Sequence, residues 1–210
     1  MICERVSDVK TASYAHVNHP APRLILASTS RYRRELLSRL GMPFETQAPD
    51  VAETAVRGEA PAAMARRLAL AKARAIRASD ALVIGSDQVA SLDGRLLRKP
   101  GDAATARQQL AACQGRTVAF DTAVAVVDTR TGTTLEHVDH TSVRFASLGA
   151  AALERYVELE RPLDCAGSFK FESLGAALFS EVDTRDPTAI QGLPLLWLAR
   201  ALTAFGVRIL

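Results

Sequence analysis

The segment that most limits the possible folds is Leu24-Ile25-Leu26-Ala27-Ser28-Thr29-Ser30-Arg31-Tyr32-Arg33-Arg34-Glu35-Leu36-Leu37. It opens as a short apolar run and changes character at Ser28. From Arg33 its apolar residues fall at Leu36, Leu37 and Leu40, which is helical spacing. The expectation is strand, tight turn, helix. Ser28, Thr29 and Ser30 then stand at the turn, where hydroxyls cap the free N–H groups of a helix start. A helix N-terminus carries partial positive charge and unpaired donors, so it suits a phosphate. Arg31, Arg33 and Arg34 crowd cations around the same point, and arginine presents a planar fork of donors that matches phosphate oxygens. Taken alone, the segment fits equally well an ordinary capped helix with a solvated basic face.

The rest of the chain supplies one sizeable core or two lobes sharing a cleft: 210 residues, 48% hydrophobic and 23% charged. A net charge of +3 without a long Lys/Arg block gives no sign of a nucleic-acid polymer as partner. No apolar run approaches the ~20 residues a bilayer span needs, so no membrane partner is expected. Cys3, Cys113 and Cys165 fit no zinc spacing and suggest reduced thiols in a cytoplasmic protein. Residues 1–22 are mixed and polar, end in His19-Pro20-Ala21-Pro22, and read as a flexible extension before a single domain over 23–210.

Along that domain, Gly41-Met42-Pro43 stops the first helix and an extended segment follows to Thr46. Glu53 falls in a polar loop. Pro61 opens a second helix whose expected buried stripe is Met64, Leu68, Ala71, Ala75 and Ile76, with Lys72 close to it. Lysine beside such a stripe normally packs its stem and leaves its ammonium in water. Ala81-Leu82-Val83-Ile84-Gly85 is a buried strand, expected to end in Ser86-Asp87-Gln88-Val89. There Asp87 is either a turn cap or a functional carboxylate. Asp93-Gly94 marks a hairpin that delivers Arg98-Lys99-Pro100, and Asp102 caps a helix over 103–112. Two long strands follow, Arg116 to Asp128 and Leu135 to Phe145. On the second, His137 and His140 point to opposite faces and cannot share an ion. A helix carries Leu153, Tyr156 and Val157, a short strand covers Ala176 to Val182, and a last helix follows Gly192-Leu193-Pro194. The fold class is α/β, a mixed sheet with flanking helices and two lobes around a central cleft, with hairpins interrupting strict β-α-β alternation.

No P-loop, G-x-G-x-x-G or G-x-S-x-G pattern is present. What remains is Ser28, Ser30, Arg33, Lys72, Asp87 and Lys99. Three cations and a helix N-terminus suit a polyphosphate, and an acid beside them suits metal binding or activation of water. The segments that hold these residues resemble the Maf-like nucleoside triphosphate pyrophosphatases. The likeness runs through Ala27-Ser28-x-Ser30-x-x-Arg33, Ala69-Leu70-Ala71-Lys72-Ala73, Gly85-Ser86-Asp87-Gln88-Val89, Lys99-Pro100 and Gly115-Arg116-Thr117-Val118. It continues through Cys165-Ala166-Gly167-Ser168-Phe169-Lys170, Arg185-Asp186-Pro187 and Gly192-Leu193-Pro194-Leu195. Ser-Asp-Gln and Ala-Gly-Ser-Phe-Lys look like the branch that hydrolyses 7-methyl-GTP; the dTTP/UTP branch usually has Asp-Thr where this chain has Asp87-Gln88.

The resemblance implies a Maf/ITPase-like fold and hydrolysis of a nucleoside triphosphate to a monophosphate and pyrophosphate. It implies Asp87 as general base or metal-holding acid, and Ser28, Ser30, Arg33, Lys72 and Lys99 around the triphosphate. It implies Glu53 with Asp87 near a divalent cation (Mg²⁺ or Mn²⁺), and Tyr32, Gln88 and Glu172 as specificity positions. On those positions a cationic N7-methylated guanine would stack on Tyr32 and donate to Glu172, while Gln88 would read a carbonyl or amide edge. A homodimer is implied by resemblance alone. Arg31 stands where the family usually has Pro, Tyr32 where this branch has Trp, Arg98 where Gly precedes Lys-Pro, and Ser173 where Gly is usual. The competing expectations are a pyrophosphatase for another nucleotide and a nucleotide-binding regulator of cell division with little turnover.

Overall fold

The computed structural model describes residues 22–210, so the expected extension lies outside the described residues except for Pro22. In chain order the elements are β1 (Arg23–Ala27), α1 (Arg31–Ser38), β2 (Glu45–Gln47), α2 (Pro61–Ala75), β3 (Ala81–Leu92), β4 (Arg95–Leu97) and α3 (Ala103–Cys113). They continue with β5 (Thr117–Asp128), β6 (Thr134–Phe145), α4 (Ala150–Glu160), β7 (Phe179–Asp183) and α5 (Leu195–Ala204). The strands form one sheet in the order β2-β1-β3-β5-β6-β7, with β4 added to β3. β1 runs parallel to β2 and β3, and the other pairings are antiparallel. The α/β mixed sheet expected from the sequence is the fold observed.

Local signals account for many boundaries. Ser30 caps α1 by accepting from the Arg33 amide, Pro61 opens α2, and Asp102 caps α3 by accepting from the Thr105 amide. Asp93 and Gly94 both have positive φ, 49° and 76°, as a tight hairpin turn between β3 and β4 requires.

Three elements differ from expectation. β3 does not end in Ser86–Val89 but runs on to Leu92, because β5 pairs with it continuously from Leu82 to Leu92. That ladder keeps the polar Ser-Asp-Gln stretch extended. The last strand starts only at Phe179, since Leu174–Leu178 forms a 3₁₀ turn. The buried face of α2 is Ala65, Leu68, Ala69, Lys72 and Ala73, with buried Ile76 just past its end, and it is rotated from the expected stripe; Ala71 is half-buried and Ala75 exposed. Gly85 sets that rotation. A Cβ there would collide with the backbone of Ala69 and Ala73, so α2 lies directly on β3 along an alanine-lined face.

The two lobes are the two ends of one sheet face. On β3 and β5, each of 12 residues, Leu82, Ile84, Val124 and Val126 pack with α1 and α5 through Leu36, Leu37, Leu198 and Leu202. Farther along the same face, Ala90, Leu92, Val118 and Phe120 pack with α3 and α4 through Leu110, Leu153 and Val157. Between the two clusters this face carries Ser86, Gln88 and Thr122. The opposite face, with Val83, Ala123 and Ala125, is closed by α2.

Candidate active site

β1 pairs with β3 only as far as Gly85, and β4 takes up the same edge only from Ala90. The edge at Ser86–Val89 therefore has no strand neighbour, and side chains from both sheet faces can reach it. A cleft of about 720 Å³ opens at this gap, within the range of small-molecule sites. Ser28, Ser30, Tyr32, Arg33, Glu53, Lys72, Asp87, Gln88, Lys99 and Glu172 all line it, so every residue singled out from the sequence reaches one cavity.

Asp87 and Lys72 form its buried floor, 7% and 6% exposed. Lys72 does not reach out to water as a helix-surface lysine would. Its Nζ lies 2.5 Å from Asp87 Oδ1 and 2.5 Å from Glu53 Oε1, tying α2, β3 and the loop before α2 together. Burial raises the Asp87 pKa above the ordinary carboxylate value, with the Lys72 and Arg33 charges opposing and Glu53 adding to the rise. Glu53 moves the other way. Burial pushes it up, but the hydrogen bond and charge of Lys72, with Lys99 and Arg33, bring it below its usual value. Asp87 Oδ2 has no hydrogen-bond partner among the described residues and is free to accept a proton.

The wall is the strand–turn–helix at β1 and α1. Ser28 Oγ accepts from the Ser30 amide at 3.1 Å, so the turn holds itself. Arg33 donates through Nε to the Gly192 carbonyl at 2.9 Å, which leaves its terminal nitrogens for the cleft. Burial pulls Arg33 below its ordinary pKa, against the pull of Asp87 and Glu53. Ser86, fully buried, also reaches the Gly192 carbonyl, at 2.8 Å. Gly192 has φ of +103°, a conformation that suits glycine and turns this carbonyl toward both donors. Lys99 is exposed on the segment after β4.

At the third side, Gln88 sits on the opposite face of β3 from Asp87. Its Nε2 donates to Thr122 Oγ1 and to the carbonyls of Ala189 and Ile190. Two carbonyl acceptors fix the amide orientation, so only Oε1 remains for a ligand. Gln88 can therefore accept from an N–H edge but has no donor left for a carbonyl. Tyr32 is half-buried and Glu172 exposed.

Ser86 and Gly192, both inside the motifs that carry the resemblance, shape the site without standing out in the sequence as candidate site residues. Ser86 falls where Leu82 and Ile84 lead one to expect a third apolar residue, and that break in alternation is its signal. Gly192 reads as a helix entrance because nothing local announces a carbonyl turned 159 residues back to Arg33. Among the described residues no group of three or more His, Cys, Asp and Glu side chains is arranged to hold a metal. Asp87 and Glu53 converge on one ammonium. Two carboxylates with phosphate and water oxygens is a donor set Mg²⁺ accepts, so these residues fit a divalent ion that arrives with a polyphosphate. Among the described residues no helix is long and apolar enough to cross a membrane.

Residues 23–205 match the Maf-like protein family. A 7-methyl-GTP pyrophosphatase of Xanthomonas oryzae pv. oryzae (strain MAFF 311018) is 54% identical over 187 residues, covering 88% of this chain and 97% of that protein. One of Albidiferax ferrireducens is 50% identical over 190 residues, covering 90% and 96%. The structure of the Staphylococcus aureus Ham1 protein aligns over 85% of this chain and 98% of its own, with a TM-score of 0.48 and 14% identity. With one family spanning nearly all the described residues, the chain belongs to the Maf-like proteins.

Proposed function

We propose that this protein is a nucleoside triphosphate pyrophosphatase that hydrolyses 7-methyl-GTP to 7-methyl-GMP and pyrophosphate. The observation that carries this is the convergence of Asp87, Lys72 and Arg33 with the N-terminus of α1 in one cleft, in a chain half-identical to proteins named for that reaction. Arg33, Lys72 and Lys99 bind the triphosphate, with Ser28 and Ser30 shaping the turn that presents the first amides of α1. Asp87 orients a water through Oδ2 and takes its proton as the water oxygen bonds to the α-phosphorus. The bond from that phosphorus to the bridging oxygen breaks, and pyrophosphate leaves. A divalent cation, Mg²⁺ or Mn²⁺, held by Asp87 and Glu53 would neutralise charge on the phosphates.

The base lies toward Tyr32, Gln88 and Glu172. N7 methylation makes guanine cationic, which favours stacking on Tyr32 and proximity to the Glu172 carboxylate. Tyrosine stacks on a cation somewhat less strongly than tryptophan. The free Gln88 Oε1 accepts from an N–H of the base. Widely spaced cysteines without a metal pattern support a cytoplasmic setting, and the family resemblance is the one support for a homodimer.

A pyrophosphate-release assay with Mg²⁺ or Mn²⁺ on 7-methyl-GTP, GTP, dTTP, UTP and CTP tests this. Preference for 7-methyl-GTP is expected. Preference for dTTP or UTP would keep the reaction and sink the base assignment, and no release from any nucleotide would sink the reaction.

A further inference from the structure

Arg31 and Tyr32 meet in a way that helix geometry does not impose. They are the first two residues of α1, and consecutive helical side chains point about 100° apart. Yet the Arg31 guanidinium carbon lies 4.7 Å from the centre of the Tyr32 ring. Arg31 Nη2 also donates to Tyr32 Oη at 2.8 Å. Both residues line the cleft, and so do Asp164 and Glu172. An aromatic face beside carboxylates is the arrangement that recognises a positively charged ring. Here the protein's own arginine is the cation on that face.

We propose that Arg31 is a specificity-determining residue that competes with the substrate base for Tyr32. Its guanidinium holds the ring face in the free protein, and a cationic N7-methylated purine must displace it to stack there. This rests on the assignment of 7-methyl-GTP as substrate. The effect on a cationic base has two parts: the base replaces a contact of the same kind, and it meets a like charge nearby. Neutral guanine meets no such repulsion and gains less from the ring. Arg31 therefore narrows the preference for the methylated nucleotide. It is exposed, so displacing it into water strands no buried charge.

The test compares the wild type and Arg31→Ala on 7-methyl-GTP and GTP, and measures calorimetric binding of the nucleosides 7-methylguanosine and guanosine, which carry no phosphate. Alanine is a good helix former at this exposed first position, so the fold is retained. The variant is expected to raise the kcat/KM ratio of 7-methyl-GTP over GTP roughly two- to fivefold, the size of one exposed cation–π contact. It should also bind 7-methylguanosine more tightly by a similar factor. An unchanged ratio would overturn the proposal. So would a fall in kcat/KM for both triphosphates with nucleoside binding unaltered, which would make Arg31 a phosphate contact. A wild-type protein that prefers another nucleotide would overturn the substrate assignment itself, and that result is visible without the variant.

Discussion

One ammonium shared by two carboxylates makes Lys72 the residue on which the site's electrostatics turn. Without it, Asp87 would lie buried beside Glu53 and lean chiefly on Arg33 for charge compensation. Removing one partner of a buried pair typically costs 3–5 kcal/mol, because the other charge is left without compensation. Glu53 is half in solvent, so we place Lys72→Met at the low end, about 3 kcal/mol. For a chain this size that is a fall in Tm of roughly 6–12 °C. The double variant Lys72→Met with Asp87→Asn should recover part of the loss, since the stranded acid is gone. A thermal melt of the two variants checks this, and a double variant no more stable than the single one would show that the buried acid is not the source. Asp87→Asn alone has a different expected outcome. It keeps the shape of the floor but cannot take a proton, so kcat should fall by about 10²–10⁴. Binding of a non-hydrolysable nucleotide analogue, followed by calorimetry, should be retained. Wild-type turnover in this variant would remove Asp87 from the chemistry.

At the scale of elements, the close approach of α2 to β3 is what brings Lys72 to Asp87, and Gly85 permits it. In Gly85→Ala the new methyl group meets the backbone of Ala69 and Ala73, which cannot rotate away as a side chain would. α2 must shift outward, at a cost of about 1–3 kcal/mol typical of overpacking, and Lys72 moves with it. Expected are a lower Tm and a loss of activity larger than the stability change alone explains, measured below the melting range. Full activity would mean that α2 can move without disturbing the pair.

The same contact shows why some elements are legible in the chain and others are not. Ser30, Pro61, Asp93-Gly94 and Asp102 act on their immediate neighbours, so their turns and caps can be read directly. The rotation of α2 depends on a glycine ten or more residues away in sequence. The continuation of β3 past Asp87 depends on β5, whose residues paired with Gln88–Leu92 lie some 26 to 34 positions on. Motif resemblance is enough to name ten of the residues that line the cleft. That Gln88 has its donor engaged, and that Arg33 hangs from the Gly192 carbonyl, follows only from the 186–194 segment folding back on the sheet.

The molecule as a whole has two lobes but no linker between them. β3 and β5 each run from one cluster of the core through the polar middle into the other, and the cleft lies across that middle. Neither cluster can lose its strands without taking away the other's floor, so the described residues should unfold as one cooperative unit. The chain carries a single tryptophan, and it reports on one side only: Trp197 packs against the α1/α5 cluster and stacks on His137 with ring centres 5.4 Å apart. Its fluorescence melt should coincide with the far-ultraviolet circular dichroism melt, which sees both lobes. A Trp197 midpoint that departs from the dichroism midpoint would show the lobes opening separately. Nucleotide binding across the shared strands should move both curves together. At a hundred times the dissociation constant the shift corresponds to about 2.7 kcal/mol, or roughly 5–11 °C for a chain of this length. A ligand that moved the tryptophan signal alone would contradict a site built on the strands common to both lobes.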